Sequence, residues 1–320
     1  MNNIFRTFAA ATLVATAINC QAEKVVPIAF GNMDQWVTRH IKESGVIGGE
    51  TKTVYAIGPT QTIEGAKPIR NIGSSPWGSS NVLAKVMGVV KTSNAVFPDV
   101  HGNGKCAKLT TTLEHVKAIG IINMDVLVNG SIFLGYMREP ISSTKNPYSK
   151  MEMGIPFTER PNYLQFDYKL TAPTGDRTYS SGFGSKKTIK GRDYSEVFIL
   201  LQRRWEDSKG NIHAARVGTG RQRFGATTNS WVNGHRIQIH YGDITGKSFY
   251  KSYMGLINTK DKAYYATNSK GKMVPVIEEK WDDANAKPTH MVLMASSGCG
   301  TAYVGTIGMT FWVDNFALVY

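Results

Sequence analysis

The chain has little cysteine: Cys20, Cys106 and Cys299 are all it carries in 320 residues. A dense framework of bridges, which holds small secreted scaffolds together, is therefore excluded. Long apolar runs are missing as well. Residues 8–18 form an apolar run too short to cross a bilayer as a helix, and nothing after it reaches spanning length. Acidic residues number 24 against 37 basic ones, a formal charge of +13. That excess aids solubility and favours acidic polymers or anionic glycans as partners. The basic residues are scattered, with small clusters at Lys186-Lys187, Arg203-Arg204 and Arg221/Arg223. No arginine tract is present, which argues against nucleic acid.

Familiar catalytic signatures are also absent. The seven histidines lack metal-ligand spacing, and neither a serine elbow nor a Cys-His signature occurs. Gly218 and Gly220 lack the further glycine of a dinucleotide site, and Gly102 to Lys105 lacks a phosphate-loop frame. No fixed-period repeat appears, which excludes propellers and solenoids.

What is present begins with a secretion signal. Arg6 supplies the positive end, residues 8–18 the apolar stretch, and Cys20-Gln21-Ala22 a small-x-small cleavage site. Residues 1–22 are thus expected to be removed, leaving an exported protein of the periplasm or cell surface. The rival reading is a lipid tether on Cys20. In an exported chain Cys106 and Cys299 are a candidate disulfide, worth about 4–5 kcal/mol for so long a loop.

The mature chain reads as β structure. Gly, Pro, Thr, Tyr and Val are frequent, and turn signals recur between short apolar runs. Residues 163–170 and 236–241 alternate apolar and polar without a break, as half-buried antiparallel strands do. Further strands are expected at 53–57, 107–113, 124–128, 131–136, 196–203, 212–217, 290–295, 302–305 and 309–320. Residues 116–122 read as either strand or a short helical turn. Trp36, Val37 and Ile41 suggest a turn or two of helix, and residues 58–80 a long loop. In the last strand the alternation of Phe311 and Val313 breaks at Asp314-Asn315 and resumes on Phe316, Leu318 and Tyr320. An inserted polar pair of that kind reads as a bulge. The expected fold is all-β: a two-sheet antiparallel sandwich of jelly-roll type. Residues 23–71 would pack as an N-terminal segment on a main domain spanning 72–320.

An ordered series of segments then resembles a known family. It runs through Ser75-Pro76-Trp77 with Ser80-Asn81, Gly104 to Thr110, Asn129 to Gly135, Gly154 to Pro161, Tyr163 to Leu170, and Phe311 to Phe316. The series resembles the putative carbohydrate metabolism domain of exported Bacteroidota proteins. The segment from Pro156 to Pro161 and the terminal Val313-Asp314-Asn315 are its most specific pieces. The resemblance implies a jelly roll like that of carbohydrate-binding modules and a carbohydrate partner, and leaves binding against catalysis open.

The candidate sugar-contacting residues are Trp77, Asn81, Glu159, Arg160, Lys169, Trp231 and Trp281. A pyranose packs its C–H face on an aromatic ring while its hydroxyls seek polar side chains. Each tryptophan alone is more often a packing residue. Glu159 and Arg160 precede a core strand and read either as a local turn or as a polar rim. Hydrolysis would need two facing carboxylates, for which Glu159, Asp167, Glu196, Glu206, Asp243, Asp282 and Asp314 are available. The adjacent pairs Glu206-Asp207 and Glu278-Glu279 read as solvated turns or edges. Asp34 and Asp314, near the two ends, are candidate ligands for a structural calcium, with bulge capping as the alternative for Asp314. No other cofactor is expected. The function expected is that of an exported glycan-binding or glycan-processing accessory protein. A glycoside hydrolase using two carboxylates and a structural or adhesion surface protein are the alternatives.

Overall fold

The computed structural model describes residues 22–118, 122–182 and 184–320; the expected secretion signal lies outside them, apart from Ala22. The fold is all-β, with three 3-10 turns at Gly45–Ile47, Pro147–Lys150 and Ser252–Met254 as the only helical pieces among the described residues. Every strand expected from the sequence has a counterpart, most of them longer than their apolar pattern. The run 236–241 is broken at Ile239, with Val232–Gln238 in one large sheet and His240–Tyr241 in the other, and 302–305 is reduced to Val304–Gly305. Two further expectations fail. Residues Trp36–Lys42 form a strand, paired with Thr51–Ile57, where helix was expected. Their β-branched and aromatic members suit a pleated surface better than a helix. The expected long loop at 58–80 contains the strands Gln61–Glu64 and Trp77–Ser79.

Two large sheets dominate. The first has eight strands, all paired antiparallel. Its centre is the terminal strand Thr310–Val319, flanked by Tyr163–Thr171 on one side. On the other side lie Gly104–Ala118 and then Val25–Pro27. The register against Tyr163–Thr171 shifts between Gln165 and Asp167, opposite Asp314. Asn315 there takes φ +53°, so the polar pair is a bulge.

The second sheet departs from the expected open face. Its strands run His290–Ser296, Ser195–Glu206, Ile212–Phe224, Met273–Trp281, Tyr265–Thr267, Met151–Met153 and Ser131–Met137. The last of these pairs back onto His290–Ser296, closing a ring of seven strands. Two of the pairings in the ring are parallel. Within the ring Ser131–Met137 serves two partners, its first three residues one and its last three the other, and it also pairs with Trp77–Ser79 outside the ring. Gly135 sits where they change over, at φ +138°, and a Cβ on it would lie 2.0 Å from the Glu152 carbonyl oxygen. Only glycine tolerates both conditions.

The strand Ser195–Glu206 shows why the ring closes. Residues 195–202 are all buried. Val197, Ile199 and Leu201 face the main core, shared with Leu164, Phe166, Phe311 and Phe316 of the first sheet. Phe166 and Phe316 stack there at 5.3 Å. Phe198 and Leu200 face the other way, into a second core with Phe133, Met153 and Val292. Successive side chains on a strand point to opposite faces, so a continuous apolar run needs cover on both. The curled sheet supplies it. At the far end that interior turns polar. Glu278, expected in a solvated edge, is fully buried and paired with fully buried Arg216. Gln202 Nε2 and the Ile257 amide also donate to the Glu278 carboxylate, each at 2.6 Å.

Candidate functional site

The mouth of the seven-strand ring opens into a cleft of about 620 Å³, a volume typical of small-ligand sites. Its floor is set by strand pairing. Glu196 lies opposite Arg223 in the register of Ser195–Glu206 against Ile212–Phe224. Arg221 is two residues along from Arg223 and so shares its face. Arg221 grips the Glu196 carboxylate with two bonds, Nε to Oε1 at 3.1 Å and Nη2 to Oε2 at 2.8 Å. Arg223 adds Nε to Oε1 at 2.8 Å. Burial alone would weaken the Arg221 charge, yet the Glu196 carboxylate more than offsets it and its pKa is raised.

Tyrosines build the walls, delivered by segments far apart in sequence. Tyr148 comes from the turn Pro147–Lys150, Tyr253 from Ser252–Met254, Tyr264 from the approach to Tyr265–Thr267, and Tyr303 from the loop after His290–Ser296. Tyr148 and Tyr264 meet edge to face at 5.5 Å. The Arg223 guanidinium lies 4.3 Å from the Tyr253 ring centre, a cation–π contact. Burial raises the pKa of Tyr148, Tyr253, Tyr264 and Tyr303. All four are therefore neutral hydroxyls at physiological pH. Lys260 and Lys262 join the two arginines along the lining, and Asp261 is the one carboxylate there among the described residues. The cleft is thus aromatic, rich in hydroxyl and guanidinium donors, and positively charged.

Of the residues singled out by sequence, Glu196, Arg221 and Arg223 meet at this cleft, and the candidate sugar-contacting residues lie elsewhere. Trp77 is buried, donates its indole N–H to the Ala29 carbonyl at 2.9 Å and packs on Phe316. Asn81 is a buried staple: its amide donates to the carbonyls of Tyr55 and Val96, and its oxygen accepts from the amides of Ala95 and Val96. Arg160 donates to the carbonyls of Ala284 and Ala286 and stacks 4.0 Å from the Tyr241 ring centre. Glu159 is exposed beside it. Trp281 is half-buried, 5.6 Å from the Arg216 guanidinium. Only Lys169 and Trp231 are brought together, with Lys169 Nζ 5.7 Å from the Trp231 ring and 4.3 Å from that of Trp312. Their patch lies on the outer face of the first sheet, where His101 stacks on Trp231 at 3.7 Å.

Asp314 faces His101, Oδ2 to Nδ1 at 2.6 Å, and also accepts from the Asn315 amide, so it caps the bulge. Burial lifts its pKa to about 6. Asp34 accepts from the Lys105 amide. Among the described residues no group of three or more His, Cys, Asp or Glu is gathered as a metal site. Cys106 and Cys299 are both free and buried, so the bridge considered for them is not formed. Burial pushes their thiols up to about 12 and about 11. No described helix is long and apolar enough to cross a membrane.

Comparison with known proteins agrees with the resemblance seen in the sequence. The putative carbohydrate metabolism domain matches residues 60–319, and the chain belongs to that family. Among curated proteins none matches. Two crystal structures of putative glycoside hydrolases are similar. That from Bacteroides thetaiotaomicron is 18% identical over 88% of this chain and 70% of its own, with a TM-score of 0.46. That from Bacteroides vulgatus is 12% identical over 93% of this chain and 95% of its own, with a TM-score of 0.41.

Proposed function

Starting from that family membership, we propose that this protein is an exported glycan-binding accessory protein whose ligand lies in the tyrosine- and arginine-lined cleft. In this reading the two large sheets form a jelly-roll-type unit on which the ring mouth is carried. The observation that carries it is the pairing of Glu196 with Arg221 and Arg223 beneath a ring of neutral tyrosines. Glu196 orients the arginines, whose remaining N–H groups donate to sugar hydroxyls or to a carboxylate. The tyrosine rings offer flat apolar faces to a pyranose; the Tyr148 and Tyr303 hydroxyls, which donate to backbone carbonyls, can accept from its hydroxyls.

Binding is favoured over hydrolysis by the same geometry. A glycosidase needs two carboxylates flanking one bond, one free to protonate the leaving oxygen. Glu196 has both oxygens engaged by guanidinium groups, so neither is left free to face a glycosidic oxygen. The test is a glycan-array screen of the mature protein, with hydrolysis followed on each hit and repeated with Arg223→Ala. Glycan retention without turnover, weakened by Arg223→Ala, supports the reading. Turnover of a hit would replace it with the hydrolase reading. Undiminished retention by Arg223→Ala would move the site away from this cleft.

A further inference from the structure

A second cavity, of about 270 Å³, lies directly behind the cleft. It sits between the hairpin Val82–Val86 and Val89–Ser93 and the strands Gly104–Ala118 and Ile122–Asn129. Its chemistry is the opposite of the cleft's. Val86, Val126, Met124, Met137, Met151 and Met294 line it. Methionine side chains are unbranched and adaptable, and suit an apolar guest whose shape varies. An apolar cavity of about 150 Å³ lined by Leu, Ile and Phe already accepts a benzene ring.

The two spaces share one wall. Pro147, Tyr148 and residues 300–303 line both. The wall is held by two single hydrogen bonds between loops: Tyr148 Oη to the Gly300 carbonyl at 3.0 Å, and Tyr303 Oη to the Thr144 carbonyl at 2.8 Å. A cationic, hydroxyl-rich chamber thus adjoins an apolar one along Pro147, Tyr148 and residues 300–303.

We propose that the ligand is an anionic glycan carrying an apolar group the size of a phenyl ring or a short acyl chain. The sugar occupies the tyrosine cleft and the apolar group passes beside Tyr148 into the methionine-lined cavity. The proposal rests on the reading of the cleft as the glycan site. The charge follows from four cations, Arg221, Arg223, Lys260 and Lys262, set against Glu196 and Asp261. The apolar appendage follows from the adjoining cavity, which a bare sugar would leave unused.

The experiment is calorimetric titration of the mature protein with phenyl β-D-glucuronide and with methyl β-D-glucuronide. The phenyl compound is expected to bind at least tenfold more tightly. Val126→Trp, which fills the cavity, is expected to abolish that advantage and leave the methyl compound unaffected; Val86→Trp serves if the first variant does not fold. Arg223→Ala is expected to weaken both. In parallel, 1-N-phenylnaphthylamine should fluoresce in the wild-type cavity and be displaced by the phenyl compound only. Equal affinity for the two glucuronides, with both weakened by Arg223→Ala, overturns the proposal and leaves the cleft reading standing. Binding of the methyl compound unaffected by Arg223→Ala overturns the cleft reading itself, and failure of both compounds to bind overturns both.

Discussion

Arg216 and Glu278 form an ion pair with neither side chain exposed, inside a ring of strands that is otherwise apolar over most of its length. The carboxylate also accepts from Gln202 and from the Ile257 amide, and the guanidinium reaches Thr219 at 3.2 Å. Taking both charges out of water is costly, and the network of bonds offsets that cost only while it is complete.

Breaking the pair from one side is therefore expected to be severe. Glu278→Ala should lower stability by about 3–5 kcal/mol, because it leaves a guanidinium buried and unpaired. The double replacement Arg216→Met with Glu278→Leu should recover part of that loss, the rest remaining because the Gln202 amide and the Ile257 N–H lose their acceptor. Urea denaturation of the two variants beside the wild type checks this; a Glu278→Ala protein of wild-type stability would show the pair to be dispensable.

Glu278 also illustrates what a sequence hides. It sits beside Glu279, and two adjacent acids suggest a solvated edge. Yet Val274, Val276 and Glu278 share one face of Met273–Trp281 at period two, so the strand carries Glu278 inward with the valines while Glu279 is exposed. The terminal strand was legible because its alternation and its bulge are local. The cleft was not, because Tyr148, Tyr253, Tyr264 and Tyr303 arrive from separate segments with no shared pattern. Its floor left a partial trace: Arg221 and Arg223 stand out as a basic pair spaced by two, and Glu196 as an available carboxylate. Only strand register joins them. Ring closure was equally hidden, since two of its pairings are parallel and join strands distant in sequence.

Arg160 is committed to the carbonyls of Ala284 and Ala286, which ties the loop after Met273–Trp281 to the start of Tyr163–Thr171. Arg160→Ala should therefore cost about 1–2 kcal/mol of stability, and glycan retention should be unchanged. A thermal melt and the array together decide it: lost retention with an unshifted melt would place Arg160 at the ligand instead.

Acid sensitivity has an identifiable source in His290. Burial first, and the nearby Arg204 charge second, depress its pKa to about 4. Its Nδ1 contacts Thr289 Oγ1 at 2.9 Å. A histidine held neutral in the fold contributes stability that is fully present above its unfolded pKa, near 6.5. That stability is lost as pH falls through the folded value near 4. Melting temperatures measured from pH 7 to pH 4 should fall more steeply for the wild type than for His290→Gln. Parallel curves would assign the acid sensitivity to other groups.

The last prediction concerns the terminal strand. Thr310–Val319 hydrogen-bonds to Tyr163–Thr171 on one edge and to Gly104–Ala118 and Val25–Pro27 on the other. Phe316 and Leu318 are buried in the main core, and Ala317 and Val319 are buried on the opposite side. Phe316 contacts both Phe166 and Trp77, so its loss would open a hole between the sheets. Each large apolar side chain buried there is worth roughly 1.5–3 kcal/mol. A domain's net stability is typically about 5–15 kcal/mol. Removing Asp314 to Tyr320 would therefore consume much of the margin. It would also strip Tyr163–Thr171 of half its pairing with the terminal strand and expose an apolar edge to other chains. A chain ending at Val313 is expected to be insoluble, or compact without fixed packing, as judged by gel filtration and near-UV circular dichroism. A monomeric truncated protein with an unchanged melting temperature would show instead that the strand is an accessory to a core complete without it.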